Sequence, residues 1–278
     1  MTVILRTSGL VHRYPDGREA LSGVDVEIHQ GEFVAIVGQN GSGKTTLAKH
    51  FNGLLRATAG TVEVAGELVR RQSTVELARV IGYCYQNPDH QIFAPTVRDE
   101  VRFGPAHLGL DETEIDRRTE QILALVDLLD RQDEYPFNLG RGERQKLAVA
   151  SVLAIEPSVL IVDEPTTGLD WRGGEAMMGL VDELNRRSTT VIVITHDMNL
   201  VAEHARRVVV MAGGRKVGDG TPQDVFAQEE VMRLAHLRPP QAFRISQALP
   251  RLFASPTMSA REATGHLPAR MPGQLGKR

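Results

Sequence analysis

Gly38-Gln39-Asn40-Gly41-Ser42-Gly43-Lys44-Thr45 is the stretch that decides how this chain is read. It fills every fixed position of G-x-x-x-x-G-K-[ST], the pattern of a phosphate-binding loop. The apolar run Phe33–Val37 precedes it and helix-compatible residues Thr46 to Phe51 follow, so the loop lies between a strand and a helix, the context the pattern requires. Glycine lets the backbone approach phosphate oxygens with several N–H groups turned inward, and the helix start adds positive partial charge. Gly38, Gln39, Asn40, Gly41, Ser42, Gly43 and Thr46 are therefore expected to cradle a nucleotide's phosphates. Lys44 is expected to reach the β- and γ-phosphates, and the Thr45 hydroxyl to sit on Mg²⁺. A Gly-rich turn with a surface lysine is the plain alternative, and it leaves the complete pattern unexplained.

A second chemical element is Val159-Leu160-Ile161-Val162-Asp163-Glu164, an apolar strand ending in two carboxylates. Ligands of parallel α/β sheets sit at strand ends. Asp163 is placed to hold the Mg²⁺ shell. Glu164, pointing the other way if strand alternation persists, is the candidate general base for water attack on the γ-phosphate. An Asp-Glu pair after a strand says little alone; it gains meaning from the loop upstream.

The bulk properties bound the class. The chain has 278 residues, a formal net charge of −3, 41% hydrophobic and 24% charged residues, an ordinary globular composition. The near-neutral balance argues against nucleic acid as the main partner. Cys84 is the single cysteine, so no internal disulfide can form, and its apolar neighbours predict a buried small residue. The first residues lack a long apolar core with a cleavage site. The apolar runs are strand-length, far short of the roughly 20 residues a membrane helix needs, so membrane association is expected to run through another protein.

Strand-like runs at Val3–Arg6, Val24–Ile28, Phe33–Val37 and Thr61–Val64 make the first part β-rich. A helical stretch is expected between about Val97 and Arg131, with Asp111 and Glu114 as a capping-box start and Ile115, Ile122, Leu125, Val126 and Leu129 on one face. Another helix is expected over Gly142–Ala154, stopped by Glu156-Pro157. Strands at Val159–Val162, Thr190–Thr195 and Val208–Met211 alternate with helical patterns, which predicts an α/β fold with a mostly parallel core sheet. After Leu249-Pro250 the sequence is rich in Pro, Gly, Ser and Arg, and residues 254–278 are expected to be a disordered, weakly basic tail.

With both phosphate-site elements in hand, Asp163-Glu164-Pro165-Thr166-Thr167-Gly168-Leu169-Asp170 resembles the Walker B and D-loop of ATP-binding-cassette (ABC) ATPases. Further elements occur in that family's order: Tyr14 where an aromatic stacks on adenine, Gln86 at the Q-loop, Leu139 to Gln145 at the signature, and His196 at the switch histidine. The resemblance covers about residues 3 to 235. It implies a P-loop NTPase with an N-terminal antiparallel β-subdomain and an inserted helical subdomain at about 87–155, followed by a helical extension over 236–253. It also implies that Gln86 bonds Mg²⁺ or its water and senses a transmembrane partner, and that His196 bonds the γ-phosphate. Asp170 would communicate across a dimer, a role compatible with capping the next helix.

The signature departs from the family's Leu-Ser-Gly-Gly-Gln: Gly140 stands for the serine, Arg141 for the first glycine and Glu143 for glutamine, while Gly142 is kept. In the family this helix start, here Gly140 and Gly142, faces the nucleotide of the opposite subunit. Its amides and dipole survive. The serine hydroxyl does not, and one hydrogen bond to a charged group is worth about 1.5–3 kcal/mol. Tyr85 to Val97 and Glu100 to Pro105, with the runs Asn-Pro-Asp-x-Gln and Ala-Pro-Thr-Val-x-Asp-Glu-Val-x-Phe-Gly-Pro, resemble energy-coupling factor (ECF) transporters, importers of vitamins or of transition-metal ions such as cobalt and nickel. In that segment Ile92 and Phe93 are expected to offer an apolar patch to a partner.

The resemblance thus implies an ATP- and Mg²⁺-dependent ATPase at the cytoplasmic face of the cell membrane. It would bind a transmembrane energy-coupling subunit and a small membrane-embedded substrate-binding subunit, and pair with itself or with a second ABC ATPase. A soluble ABC ATPase of DNA repair or translation is the alternative class. It fits less well, because the chain has one cassette, no long coiled-coil insertion and no strongly basic composition.

Overall fold

The computed structural model describes residues 2–253 and 255–266. In chain order the elements are β1 (Val3–Arg13), β2 (Glu19–His29), β3 (Phe33–Val37), α1 (Lys44–Phe51), β4 (Ala59–Val64), β5 (Glu67–Leu68), α2 (Thr74–Val80), β6 (Ile81–Cys84), α3 (Val97–His107), α4 (Glu112–Leu125) and α5 (Arg141–Leu153). They continue with β7 (Val159–Asp163), α6 (Trp171–Arg186), β8 (Thr190–Thr195), α7 (Met198–His204), β9 (Arg207–Ala212), β10 (Arg215–Gly220), α8 (Pro222–Ala227), α9 (Glu229–Leu234), α10 (Gln241–Ala248) and α11 (Ala260–His266). They form an antiparallel sheet of order β2-β1-β4-β5 and a core sheet of order β10-β9-β3-β8-β7-β6, parallel except at the β10 edge.

Strand alternation explains how the layers stack. Val34, Ile36, Val159, Ile161, Ile192, Ile194, Val209 and Met211 face α1 and the antiparallel sheet. Their sequence neighbours Phe33, Leu160, Val162, Val191 and Val193 face the α5 and α6 side, while Ala35, Val37, Val208 and Val210 face the α7 to α10 side. Both faces are covered, which is why these strands read as continuous apolar runs rather than as alternating ones. The parallel register aligns the carboxyl ends of β3, β7 and β8, with Val37 opposite Thr195 and Asp163 opposite Ile194. Three loops therefore emerge on one edge, and they carry the P-loop, the carboxylate pair and His196.

The helical subdomain has its own core: Ile92, Val97, Val101, Leu123, Val126, Leu128, Leu139 and Leu147. The single stretch expected over Val97–Arg131 is divided into α3 and α4, because Gly109 turns with φ of +78°. Only half of the expected capping box forms. The Asp111 side chain accepts from the Glu114 N–H at 3.0 Å, while the Glu114 carboxylate turns to Arg117 and Arg118. Two close approaches lock β6 and α3 to α5: a Cβ on Gly82 would lie 2.2 Å from Val152 Cγ1, and one on Gly104 2.8 Å from Ile155.

The C-terminal segment departs from the disordered tail expected from residue 254. α10 buries Phe243 edge-on against Phe226, with ring centroids 5.8 Å apart. The chain then returns: the fully buried Thr257 donates its N–H to Ser246 Oγ at 2.8 Å, Met258 packs on the β9 side, and α11 follows. Polar composition hid this return, because a serine serves as its acceptor inside an apolar pocket. The rest of the expected tail, 267–278, lies outside the described residues.

Candidate functional site

A cleft of about 230 Å³ opens where the P-loop meets the ends of the core strands. Tyr14, Asn40, Gly41, Ser42, Gly43, Lys44, Thr45, Thr46, Gln86, Asp163 and Glu164 line it, together with Arg18, Glu19 and Ala20. The loop is pressed onto the sheet: a Cβ on Gly38 would lie 2.2 Å from Met211 O, and one on Gly43 2.7 Å from Ala20 O. Glycine is the one residue that fits at either point.

Lys44 folds over this loop, its ammonium donating to Gly38 O at 2.7 Å and Gln39 O at 3.0 Å. Burial pushes the Lys44 amine below its usual value, and the nearby Glu164 and Asp163 carboxylates hold part of it back. A desolvated cation over a glycine-rich loop at a helix start suits a polyanion. The buried Ser42 Oγ has no partner among the described residues, so a phosphate oxygen would satisfy it.

Thr45 Oγ1 donates to Asp163 Oδ2 at 2.9 Å, tying the loop to the end of β7. Both are hard oxygen donors suited to Mg²⁺. Tyr83 OH donates to the same Asp163 oxygen at 3.0 Å. Burial raises the Asp163 carboxyl above its ordinary value, and the two hydroxyls offset part of that rise. Tyr83 went unread in the sequence because nothing there says which strand lies beside β7; parallel pairing sets it opposite Ile161.

Glu164 does not continue the strand. Its backbone turns left-handed, with φ of +50°, a costly conformation for glutamate. The turn delivers a buried carboxyl group whose Oε1 lies within hydrogen-bond distance of His196 Nδ1, at 2.6 Å. Thr195 Oγ1 approaches Glu164 Oε2 at 3.4 Å. His196 is itself mostly exposed. At the other end of the cleft, the Tyr14 hydroxyl lies 3.2 Å from Thr46 Oγ1. His12 meets its ring edge-on at 4.7 Å, and Arg18 stands over it at 4.9 Å. Arg18 is a cleft residue that no sequence motif marks.

Gln86 lines the cleft from a tightly fastened loop. Asn87 accepts from Asp89 N, Gln91 bridges Tyr85 N and Ala148 O, and Asp89 pairs with Arg144 of α5 at 2.8 Å. The buried Glu100 carboxylate accepts from Phe93 N and Ala94 N. This turn separates the pair expected to form one patch: Ile92 is 4% exposed and belongs to the core, while Phe93 is 62% exposed.

Gly140, Gly142 and Asp170 do not line the cleft. They belong to a separate surface where α5 and α6 begin. Glu143 Oε2 accepts the Gly140 N–H at 2.8 Å, and its other oxygen binds Arg131 at 2.6 Å. Burial favours the neutral Glu143 acid, but Arg131 and the Gly140 amide outweigh it and hold the carboxyl below its usual value. Arg141 donates to Thr167 O at 3.4 Å. Asp170 caps α6 by accepting from Gly173 N at 2.7 Å.

A P-loop at the end of a parallel strand, a second strand ending in Asp-Glu, and an inserted helical subdomain define a P-loop nucleoside-triphosphatase. A family model described as "ABC transporter" matches residues 21–167. A putative ABC transporter ATP-binding protein of Caldanaerobacter subterraneus is 47% identical over 91% of this chain, which spans only 44% of that relative's length. The energy-coupling factor transporter ATP-binding protein EcfA of Methanocaldococcus jannaschii is 41% identical over 88% of this chain and 89% of its own. Among solved structures, cbiO1 from Clostridium perfringens, described as part of the ABC transporter complex cbiONQ, aligns with a TM-score of 0.76 at 35% identity, covering 90% of this chain and 97% of that one. The chain belongs to the ABC transporter ATP-binding family, in its energy-coupling factor branch. It is an ATP-binding subunit whose hydrolysis is coupled to transport, and the soluble repair or translation reading is not favoured.

Proposed function

We propose that the chain powers an importer of a vitamin or a transition-metal ion, working in pairs on the cytoplasmic face of the membrane. It would dock on a transmembrane energy-coupling subunit that also holds a small membrane-embedded substrate-binding subunit. Support for the partners comes from the relatives' names, and for attachment through a partner from the described residues, which include no helix long and apolar enough to cross a membrane. No nucleic-acid contact is expected. The paired ATPase is a second copy or a similar ABC subunit.

The observation that carries the mechanism is the division just described: one chain holds the P-loop and carboxylates in one cleft and presents Gly140 and Gly142 elsewhere. Head-to-tail pairing completes two sites at once. Tyr14 supports the base, and Gly38 through Thr46 hold the phosphates. Thr45, Asp163 and Gln86 would hold Mg²⁺, which neutralises phosphate charge when bound. Glu164 takes a proton from the water that attacks the γ-phosphorus, and ADP carries off the bonding pair. His196 orients Glu164 and supports the γ-phosphate. Motion at Gln86 passes through the Asp89–Arg144 pair into α5 and toward the membrane partner.

The test is affinity purification of tagged Glu164→Gln from native membranes in mild detergent with ATP. Recovery of a polytopic scaffold with a small hydrophobic protein is the expected result, and that small protein would point to the solute. Recovery of ribosomes or DNA-repair proteins, with no membrane protein, overturns the importer reading and leaves the ATPase assignment standing.

A further inference from the structure

The three arginines around the first turn of α5 are not used alike. Arg131 is paired with Glu134 and Glu143, and Arg144 with Asp89. Arg141 has no carboxylate partner among the described residues. It lies instead on the loop after Glu164. Its Nη2 donates to Thr167 O, and a Cβ on Gly168 would fall 2.4 Å from its Cζ and 2.5 Å from its Nε. The guanidinium therefore occupies the space that any larger residue at 168 would fill. One step inward, Thr167 N donates to Glu164 O at 3.1 Å and Leu169 N to Thr166 O at 3.1 Å, closing a tight turn on the left-handed Glu164.

We propose that Arg141 is a positioning residue that couples the two composite ATP sites of the pair through a single chain. This rests on the head-to-tail reading above. In that arrangement the first turn of α5 touches the partner's nucleotide, whereas Glu164 serves the chain's own. Arg141 joins them by a short path: α5 to guanidinium, guanidinium to Thr167 and Gly168, turn to Glu164. A planar guanidinium suits flat contact over a glycine and donation to a carbonyl together, which a lysine ammonium does not reproduce. An element in contact with both sites can carry coupling free energy between them. A shift of α5 as the partner's nucleotide is engaged would move the backbone of a base that already sits in a sparsely populated conformation.

The experiment measures steady-state ATPase against ATP concentration for the detergent-purified membrane complex, comparing the parent with Arg141→Ala and Arg141→Lys. Nucleotide affinity of the isolated chain and thermal unfolding are read alongside. The expected result is a sigmoidal parent curve that becomes hyperbolic in Arg141→Ala and stays so in Arg141→Lys, with nucleotide affinity of the isolated chain unchanged. A purely structural role would lower the unfolding temperature and leave the curve sigmoidal, which overturns the inference. A hyperbolic parent overturns it too. In that case ATP-dependent dimerisation of Glu164→Gln separates the outcomes: if it dimerises, only the role of Arg141 falls, and if it stays monomeric the head-to-tail reading falls as well.

Discussion

The P-loop side of the molecule and the signature side hold their charges differently. On the first, Lys44, Asp163 and Glu164 are buried together, their partners are a few backbone carbonyls, hydroxyls and the His196 imidazole, and the Ser42 hydroxyl is left without one. Burial pushes Lys44 down and Asp163 up, so each is held against its own ionised form. A cleft that disfavours its own charges gains most when a ligand of complementary charge arrives. On the second, Glu143, Arg131, Glu134, Arg144 and Asp89 neutralise one another near the surface, and the Gly140 amide is already taken. One side is poised for a ligand, while the other has supplied its own substitute. Substitutions on the first side should therefore cost far more than those on the second.

Glu164→Gln should sharpen that contrast most. Removing a general base typically costs about 10²–10⁴-fold in rate, while the amide still fills the space beside His196 and Thr195. We expect ATP binding to persist, turnover to collapse and an ATP-dependent dimer to accumulate on size-exclusion chromatography. Near-normal turnover would remove Glu164 from the base role. Lys44→Ala comes next. Loss of a cation that hydrogen-bonds a charged ligand costs about 1.5–3 kcal/mol, so titration calorimetry should show ATP affinity falling by about an order of magnitude or more. Unchanged affinity would mean that the loop amides alone hold the phosphates.

What could be read from the sequence divides along the same line. Gly38 to Thr45 and Asp163 were legible because their spacing along one chain is the geometry: the end of a strand, and for the loop the helix after it, fix where those residues go. The core sheet was legible for a related reason, since strands covered on both faces must be apolar throughout. Tyr83 and Arg18 were not legible, because Tyr83 reaches Asp163 from a neighbouring strand and Arg18 reaches the cleft from the β1–β2 turn, contacts that local pattern does not encode. The left-handed turn at Glu164 was missed because strand alternation was extended one residue beyond β7. The folded return through Thr257 was missed because composition cannot say that Ser246 will offer a buried acceptor. Arg141 was visible as a departure, but its seat on Gly168 required the fold.

Gly140→Ser tests whether the signature side is truly weakened. A hydroxyl donor restored to the helix start should raise turnover by about tenfold, the low end of a charge-assisted hydrogen bond. The backbone permits it, with φ of −61° and ψ of 159° at Gly140. The new Cβ would lie 3.3 Å from Glu143 Oε2, so the self-capping carboxylate must give by a few tenths of an ångström. Adding Glu143→Gln removes that anion while keeping an acceptor for the Gly140 amide, and the pair of changes should exceed the single one. A fall in turnover on restoring serine would show that this segment is adapted to its own chemistry rather than impaired.

Tyr83→Phe carries the smallest expected effect, and its sign is fixed by the geometry. The phenol donates to Asp163 and so stabilises the carboxylate over the acid. Deleting it leaves burial less opposed, which moves the Asp163 pKa further up. Metal ligation needs the ionised form, so the acid limb of the pH–rate profile should move to higher pH, with the rate on the plateau little changed. Apparent Mg²⁺ affinity below that limb should weaken in step. A limb that stays in place would mean that burial, Thr45 and the nearby lysines set the ionisation of Asp163 without the phenol. A limb that moves to lower pH would mean that the phenol had been favouring the neutral acid, against the donor role its 3.0 Å contact gives it.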